Sequence, residues 1–336
     1  MKQFSCALVS AFALLATASP VPATHFEISN GSTVTAADVS TLKFFSQYAG
    51  ASYCNSEVDL GSTVTCAENT CPDVTSAGAK VVATFSGHLT DIQGFVSSDD
   101  TNELIVASVR GSHSIRNWIA DLSFIPLPCD LVDDCLIHTG FLLSWKEIED
   151  DLLDGVAAAK EANPSYKIIF TGHSLGGAVA TVAAYARDQG YELDLYTYGS
   201  PRVGNQAFVD FVTAQPGGEF RVTHLDDPVP RLPPIAVDYR HTSPEYWLSG
   251  ESDNSTLYAA SDIKVCEGFA NTDCNGGTGG LDIPAHLLYF EHISGCGPDG
   301  IAFKRRGGQR DVSDEELLAK LSDWTQDREI AATLKQ

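Results

Sequence analysis

The sequence predicts an α/β fold, with a mostly parallel central sheet flanked by helices. In the second half of the chain, apolar strand-like runs at 166–171 and 194–199 enclose an alanine-rich helical stretch at 178–187. Another β-rich run follows at 220–225. Strands separated by a helix favour parallel pairing, because a parallel crossover needs a long connection and a helix provides one.

The first half of the chain adds further helices and strands. Apolar residues at helical spacing predict helices at 38–51 and 141–162. Between them lie three β-rich runs, at 81–87, 94–98 and 103–111. With 336 residues, 43% of them hydrophobic, the chain can form a single α/β domain with a substantial core.

The charge balance excludes several classes of partner. The net charge is -23, from 44 acidic and 21 basic residues. This balance argues against nucleic-acid binding and against adhesion to anionic membranes, and it suits a neutral or apolar substrate. Beyond the N-terminus no stretch is long and apolar enough to span a bilayer, so we expect no integral membrane association.

The N-terminus has the features of a secretory signal. Lys2 precedes an apolar stretch at 6–16, and Ala16-Thr17-Ala18 is a small-residue cleavage pattern. We therefore expect an extracellular protein; an uncleaved N-terminal anchor is the alternative. The expected division is a signal peptide at 1–18, a pro-segment at 19–30, a main domain at 31–300 and a C-terminal tail at 301–336.

The cysteine count also fits secretion. Of nine cysteines, Cys6 would leave with the signal, and an even number remains. Eight cysteines in an oxidising compartment suggest four disulfides but allow 105 pairings. Zinc binding is the weaker alternative, because no Cys-X-X-Cys pair occurs. Short spacing favours bridges across loops for Cys66/Cys71, Cys129/Cys135 and Cys266/Cys274, which leaves Cys54 with Cys296.

Two Asn-X-Ser/Thr triplets, at Asn30 and Asn254, are acceptors for N-linked glycans in a secreted protein. Both lie among polar residues typical of loops. The triplet is short and arises often by chance, so glycosylation at either site is an expectation.

The sharpest motif is Gly-His-Ser-Leu-Gly at 172–176, between the apolar strand and the alanine-rich helix. In this context the pattern predicts a nucleophile elbow with Ser174 on a strained turn, where the small residues Gly172 and Gly176 avoid clashes. The structural alternative is that Ser174 only caps the helix. We expect the neighbouring His173 to pack under the turn.

A nucleophilic serine needs a histidine base and an acid that orients it. In elbow-containing folds these follow the serine, with the acid first. Asp226 and Asp227 come at the end of a predicted strand and are both candidates. Among the later histidines, His286 lies in a loop-like position and is favoured, and His292 is second. His241 follows the acids by too little chain to reach the serine from a separate loop.

These motifs together resemble the secreted filamentous-fungal lipases of the class 3 (Rhizomucor–Thermomyces) family, most closely the Fusarium type. The resemblance runs from Val39 to Cys296. It implies an α/β-hydrolase fold with a short helical lid, a monomeric lipase, and no metal or other cofactor. The matching blocks are VRGSHSIRNW at 109–118, HTGFLLSW at 138–145, FTGHSLGGAVATVAA at 170–184, YGSPRVGN at 198–205, RVTHLDDPVPRLPP at 221–234, SPEYW at 243–247 and IPAHLLYF at 283–290.

The resemblance implies a triad of Ser174, Asp227 and His286. The family's acid precedes an X-Val-Pro sequence, which selects Asp227 over Asp226. The chain departs from the family pattern at Pro228, where a β-branched residue is usual, and this change is expected to stiffen the turn.

The resemblance also implies an oxyanion hole formed by Ser112, through its backbone N–H and hydroxyl, and by the backbone N–H of Leu175. Each such donor typically stabilises the transition state by about 2.7–4 kcal/mol. The implied disulfides are Cys54–Cys296, Cys66–Cys71 and Cys129–Cys135, with Cys266–Cys274 left as a fourth.

Residues 114–123 distinguish a lipase from other esterases. Ile115, Trp118, Ile119 and Leu122 recur at helical spacing and form one apolar face. Most such faces belong to the core, but this one follows the oxyanion residue, where the family has its mobile lid. An apolar lid favours a lipase acting at an oil–water interface over a soluble carboxylesterase or feruloyl esterase.

The expected substrates are acylglycerols, with triacylglycerol favoured. Mono- and diacylglycerols are the alternative, and phospholipid hydrolysis is an additional activity that the Fusarium-type resemblance implies. A non-enzymatic alternative is an inactive hydrolase-fold binding protein, which retention of all three triad residues disfavours.

The tail beyond Cys296 has its own pattern. The basic cluster at 304–306 suggests processing near Arg306, and an ordinary solvated charge run is the alternative. Ser313 and Glu316 match a helix capping box. We expect the helix to dock on the apolar surface of the enzyme near the lid and to restrain it until processing. The apolar residues of the helix are Leu317, Leu321 and Trp324.

Overall fold

The computed structural model describes most of the domain and a C-terminal helix. The signal peptide, Asn30, Asn254, Ile115 and the basic cluster that ends at Arg306 lie outside the described residues. The described residues are 28, 33–112, 118–119, 121–182, 184–250, 256–296 and 313–325.

The domain is built on an eight-stranded sheet in the order β1-β2-β3-β6-β7-β8-β9-β10. The five strands from β3 to β9 pair in parallel, and the strands at both edges pair antiparallel. A separate two-stranded ribbon joins β4 and β5. The strands are β1 Lys80–Ser86, β2 Gln93–Asp99, β3 Leu104–Val109, β4 Pro126–Pro128, β5 Leu136–His138, β6 Lys167–His173, β7 Leu193–Tyr198, β8 Glu219–His224, β9 Glu245–Leu248 and β10 Ile263–Cys266.

Helices cover both faces of this sheet, so the predicted α/β architecture is confirmed. On β6, Ile168 and Phe170 contribute to the core beneath α3, whereas Ile169 contributes to the core beneath α1. This division follows from the alternation of side chains along a strand. The helices are α1 Ala36–Asn55, α2 Pro72–Ala77, α3 Thr139–Ala162, α4 Leu175–Thr181, α5 Ala184–Asp188, α6 Gln206–Ala214 and α7 Asp314–Trp324.

The helix predicted at 178–187 differs from the structure in its start and its continuity. It begins at Leu175, directly after Ser174, and it is divided into α4 and α5. Gly176 and Gly177 lower helix propensity, so the pattern alone placed the start later. These two glycines are needed because other parts of the chain pack closely against them. Helix propensity does not include such tertiary contacts.

Four disulfides connect the domain, and their pairs are the ones the sequence suggested. Cys54 at the end of α1 is joined to Cys296, closing a loop of 242 residues. By chain-entropy reasoning such a loop closure contributes roughly 5 kcal/mol to stability. The other three bridges close short loops: Cys66–Cys71, Cys129–Cys135 and Cys266–Cys274.

Among the described residues, no helix is both long enough and apolar enough to cross a membrane.

Candidate active site

Ser174 lies on a sharp turn between β6 and α4. Its backbone has φ 57° and ψ −127°, a conformation that costs a non-glycine residue on the order of 1–3 kcal/mol. The Ser174 N–H donates to the carbonyl of Tyr198 on the next strand at 2.9 Å, which helps to hold the turn. The side chain of Ser174 is fully buried.

The two glycines of the elbow are required by close backbone contacts. A Cβ on Gly172 would meet the backbone of Gly176, and a Cβ on Gly176 would meet the carbonyl of Val109 at the end of β3. The first turn of α4 therefore packs directly on the chain that leaves β3. This contact brings Ser112, three residues beyond Val109, to the same edge of the sheet as Leu175.

The chain leading to Ser112 is anchored by Arg110. This buried guanidinium forms an ion pair with Asp91 at 3.4 Å and donates to the side chain of Gln93. Ser112 and Leu175 are both half-buried. Because Leu175 is the first residue of α4, its N–H has no carbonyl to bond within the helix. Both predicted oxyanion residues thus lie beside the elbow.

Asp227 and His286 form a buried hydrogen-bonded pair. Asp227 follows β8, and its N–H donates to the carbonyl of His224 at 3.0 Å to close the turn. His286 lies in a short 3-10 turn, Pro284–Leu287. Its Nδ1–H donates to Asp227 Oδ2 at 2.8 Å, and both side chains are fully buried. This arrangement leaves Nε2 of His286 as the basic nitrogen.

Two further donors hold the carboxylate of Asp227. The Tyr289 hydroxyl donates to Oδ2 at 2.6 Å, and the Val229 N–H donates to Oδ1 at 2.9 Å. Burial and the nearby Asp227 charge raise the pKa of Tyr289 well above its usual value, so the phenol stays protonated and donates. Sequence reasoning missed Tyr289, although it lies in the IPAHLLYF block.

The imidazole of His286 lies next to the elbow. Gly199 has φ +57°, and a Cβ there would come within 2.9 Å of His286 Cε1. Gly199 directly follows Tyr198, the residue that accepts from the Ser174 N–H. Within the described part of the chain, His286 Nε2 and Ser174 Oγ are both buried without a hydrogen-bond partner. The Ser174 hydroxyl and the unbonded imidazole nitrogen of His286 are thus both buried beside the same turn.

His173 supports this site from below. Its ring nitrogens contact the Tyr53 hydroxyl at 2.7 Å and the carbonyl of His286 at 2.8 Å. Burial, followed by the neighbouring His286, lowers the pKa of His173 well below its usual value. The neutral ring donates from Nε2–H to the His286 carbonyl and accepts from Tyr53 at Nδ1. The prediction that His173 packs under the turn is confirmed.

The alternative acids and bases lie elsewhere. Asp226 is half-buried and its carboxyl group faces Gly280. His241 donates from Nε2 to the carbonyl of Pro230 at 2.6 Å, and His292 is exposed. Asp227 and His286, by contrast, are joined to each other by a buried hydrogen bond.

The segment that the sequence predicts to be a lid packs its described apolar side chains against the domain. Ile119 is fully buried, and Trp118 and Leu122 are half-buried. Trp118 also stacks on Phe141 of α3, with ring centroids 6.4 Å apart. Ile119 packs with four residues that flank Asp227 and His286 in the chain, which we call the rim. The rim residues are Val229, Leu232, Ile283 and Leu287.

The structure gives no support to the zinc alternative. Among the described residues, the group with metal-ligand spacing is Cys54, Cys66 and Cys296, and all three are in disulfides. A disulfide sulfur is not a thiolate, which is the form of cysteine that binds zinc.

A parallel sheet with a nucleophile elbow and a buried Asp–His pair beside it defines a serine hydrolase of the α/β-hydrolase fold. Comparison with known proteins narrows this class. The family model described as Lipase (class 3) matches residues 106–237. The secreted mono- and diacylglycerol lipase 1 of Fusarium solani is 51% identical over 316 residues, which are 93% of each chain.

Solved structures agree with this relationship. The mono- and diacylglycerol lipase of Aspergillus oryzae superposes with a TM-score of 0.74 at 40% identity, covering 77% of this chain and 98% of that one. A triacylglycerol lipase whose catalytic centre is described as a serine protease triad superposes with a TM-score of 0.68 at 34% identity, covering 77% and 96%. The chain belongs to the class 3 lipase family, and it is a serine carboxyl-ester hydrolase that acts on lipid substrates.

Proposed function

We propose that this protein is a secreted acylglycerol lipase in which Ser174, His286 and Asp227 form the catalytic triad. The observation that carries the proposal is the 2.8 Å hydrogen bond between His286 and Asp227 beside the elbow. It leaves Nε2 of His286 to accept the Ser174 proton. The Ser174 oxygen then attacks the ester carbonyl carbon, which forms a tetrahedral oxyanion.

The oxyanion is stabilised by backbone N–H groups of Leu175 and Ser112 and by the Ser112 hydroxyl. Both N–H groups belong to chain segments fixed by the packing of Gly176 on Val109, so little reorganisation is needed as charge develops. His286 then returns its proton to the leaving glycerol oxygen. A water molecule, activated by the same imidazole, hydrolyses the acyl-enzyme and frees the fatty acid.

We propose that mono- and diacylglycerols are the preferred substrates. The support is similarity: the Fusarium solani and Penicillium cyclopium relatives, at 51% and 42% identity, are both named secreted mono- and diacylglycerol lipases. Triacylglycerol is the second candidate, favoured by the 34% identical triacylglycerol lipase structure.

A substrate panel separates these candidates. Rates should be measured on dioleoylglycerol, olive-oil emulsion, tributyrin, lecithin and methyl ferulate, and the soluble esters should be tested below and above their aggregation thresholds. We expect the highest rate on dioleoylglycerol. A higher rate on triolein-rich emulsion would favour the triacylglycerol candidate, a dominant rate on lecithin a phospholipase, and activity confined to soluble methyl ferulate a feruloyl esterase.

We further propose that the chain is exported, cleaved after Ala18 and monomeric. Four disulfides are typical of proteins that fold in an oxidising compartment. Intact mass and N-terminal sequencing of the secreted protein test the cleavage, and the same mass spectrum tests glycans at Asn30 and Asn254 and processing near Arg306. A mass that includes Gln336 would exclude that processing.

A further inference from the structure

The C-terminal helix α7 buries its apolar face against the rim and the segment predicted to be the lid. Leu317 and Leu321 lie one turn apart and are fully buried. They pack in one cluster with Ile119 of the lid and with the rim. The helix therefore contacts the predicted lid, through Ile119, and the rim together.

A third contact lies at the end of the lid. The Trp324 ring meets the Phe124 ring edge to face, with centroids 4.8 Å apart. The backbone there is anchored, because His138 contacts the carbonyl of Ser123 and the Tyr239 hydroxyl donates to the carbonyl of Phe124 at 3.3 Å. The helix thus spans from the anchored end of the predicted lid to the rim.

The helix depends on this surface for its own stability. It is capped by Ser313, whose hydroxyl accepts from the Glu316 N–H at 3.1 Å. At 11 residues, however, it is too short to be stable alone in water. Its outward side carries Leu318, which is 41% exposed, beside acidic residues. The apolar residues at i, i+4 and i+7 all face the lid and the rim.

We propose that the lid and the rim form a binding site for an amphipathic helix, that α7 occupies it, and that α7 competes there with the acyl chain of the substrate. The inference rests on the proposed function. The rim residues flank Asp227 and His286 in the chain, so we expect the apolar chain of a reacting ester to contact them. The lid cannot move away from the rim without separating Ile119 from Leu317 and Leu321. The tail therefore acts as a tethered inhibitor, and its effect adds to that of the lid.

The test uses the full-length protein and two single substitutions on α7. Leu321→Asp places a charge in the buried contact, and Leu318→Asp places the same charge on the exposed side of the same helix. Two rates are measured: hydrolysis of p-nitrophenyl butyrate below its solubility limit, and phosphonate labelling of Ser174, which reports access without turnover. We expect Leu321→Asp to increase both by about tenfold, within the range of typical coupling free energies, and Leu318→Asp to leave both unchanged.

A synthetic peptide of residues 313–325 tests the binding site directly. Added to the Leu321→Asp enzyme, the peptide should slow both hydrolysis and phosphonate labelling. In hydrolysis it should raise KM and leave kcat unchanged. A control peptide that carries Leu321→Asp should have neither effect. If Leu321→Asp is not secreted, Trp324→Ala removes one contact and should increase both rates by a smaller factor.

Equal rates in the wild-type, Leu321→Asp and Leu318→Asp enzymes, with Ser174 still labelled, would overturn the inference and leave the proposed function standing. A loss of rate in Leu321→Asp would also overturn it, because α7 would then support the active lid. Absence of phosphonate labelling and of ester hydrolysis in every variant would instead reject the proposed function.

Discussion

The carboxylate of Asp227 accepts three hydrogen bonds, from His286, Tyr289 and the Val229 N–H. This number of donors explains how an acid can be fully buried without a cationic partner, because each donor replaces water that burial removes. The acid is thus fixed in one orientation, and it fixes the imidazole of His286 in turn.

Replacing Ser174 tests its proposed role as the nucleophile. Ser174→Ala should reduce kcat by a factor on the order of 10⁶, to the level left by binding and the oxyanion hole. Within the described part of the chain the Ser174 hydroxyl has no hydrogen-bond partner, so its removal should not lower the melting temperature. Ester hydrolysis and thermal unfolding measured on the same sample check both expectations. Substantial remaining activity would mean that another residue is the nucleophile.

The two adjacent acids provide a matched pair of variants. Asp227→Asn should reduce kcat by about 10⁴, because the amide favours the wrong imidazole tautomer. Asp226→Asn is the control, since its carboxyl group faces Gly280, and it should have little effect. Steady-state kinetics on a soluble ester separate them. The reverse result would make Asp226 the catalytic acid.

Tyr289 is expected to act as a positioning residue. Tyr289→Phe removes a donor to a charged group, a hydrogen bond that typically contributes about 1.5–3 kcal/mol. The variant should unfold at lower denaturant concentration and lose less kcat than Asp227→Asn, because the bond from His286 remains. The phenyl ring of the variant cannot donate a hydrogen bond. An unchanged unfolding midpoint would therefore show that the hydrogen bond from Tyr289 to Asp227 is not formed in solution.

At the scale of elements, the question is whether the predicted lid acts at an interface or only packs as part of the core. Trp118 stacks on Phe141, yet it remains half exposed. Trp118→Ala should weaken the rise in rate at an oil–water interface more than it affects a monomeric ester. Tributyrin kinetics across the solubility limit measure this difference. Equal losses on both substrates would identify Trp118 as a core residue.

Elements with a strong local pattern were predictable, and elements defined by neighbours were not. The apolar run before Ser174 predicted β6, since a parallel strand buried on both faces needs little polarity. The short strands β9 and β10 and the β4–β5 ribbon escaped prediction because their patterns span only three or four residues. The helix α6, Gln206–Ala214, was also missed, although Asn205 caps it by accepting from the Phe208 N–H.

The candidate site shows the same limit. The elbow sequence indicated Ser174, and chain order indicated an acid and a histidine after it. The choice of Asp227 over Asp226 came from resemblance alone, because adjacent residues at a strand end have nearly the same local pattern. The supporting contacts of Tyr289 and Tyr53 depend on chain segments that meet only after folding, so no local signal marks them.

At the scale of the whole molecule, buried histidines predict sensitivity to acid. Burial lowers the pKa of His173 and of His241 well below the usual value, and at His241 the guanidinium groups of Arg221 and Arg202 add to the effect. Below about pH 6.5 these imidazoles bind protons on unfolding, so stability is present above that pH and is lost as the pH falls. At pH 5 each should therefore contribute a lower free energy of unfolding than at pH 7.5.

Unfolding at pH 7.5 and pH 5 measures this loss. His241→Gln serves as the comparison variant, because its amide can still donate to the Pro230 carbonyl but does not titrate in this range. The variant should lose less stability than the wild type between the two pH values. An identical loss would mean that His241 does not contribute to the acid sensitivity.

We expect Ser174, activated by His286 and Asp227, to perform ester hydrolysis in this protein. Labelling with a fluorophosphonate followed by peptide mass spectrometry tests it most directly. We predict one phosphonate per chain, on the peptide that contains Ser174, with loss of hydrolysis in proportion to labelling and with much slower labelling in Asp227→Asn. A label on a different serine, or full hydrolysis by the labelled protein, would contradict the account.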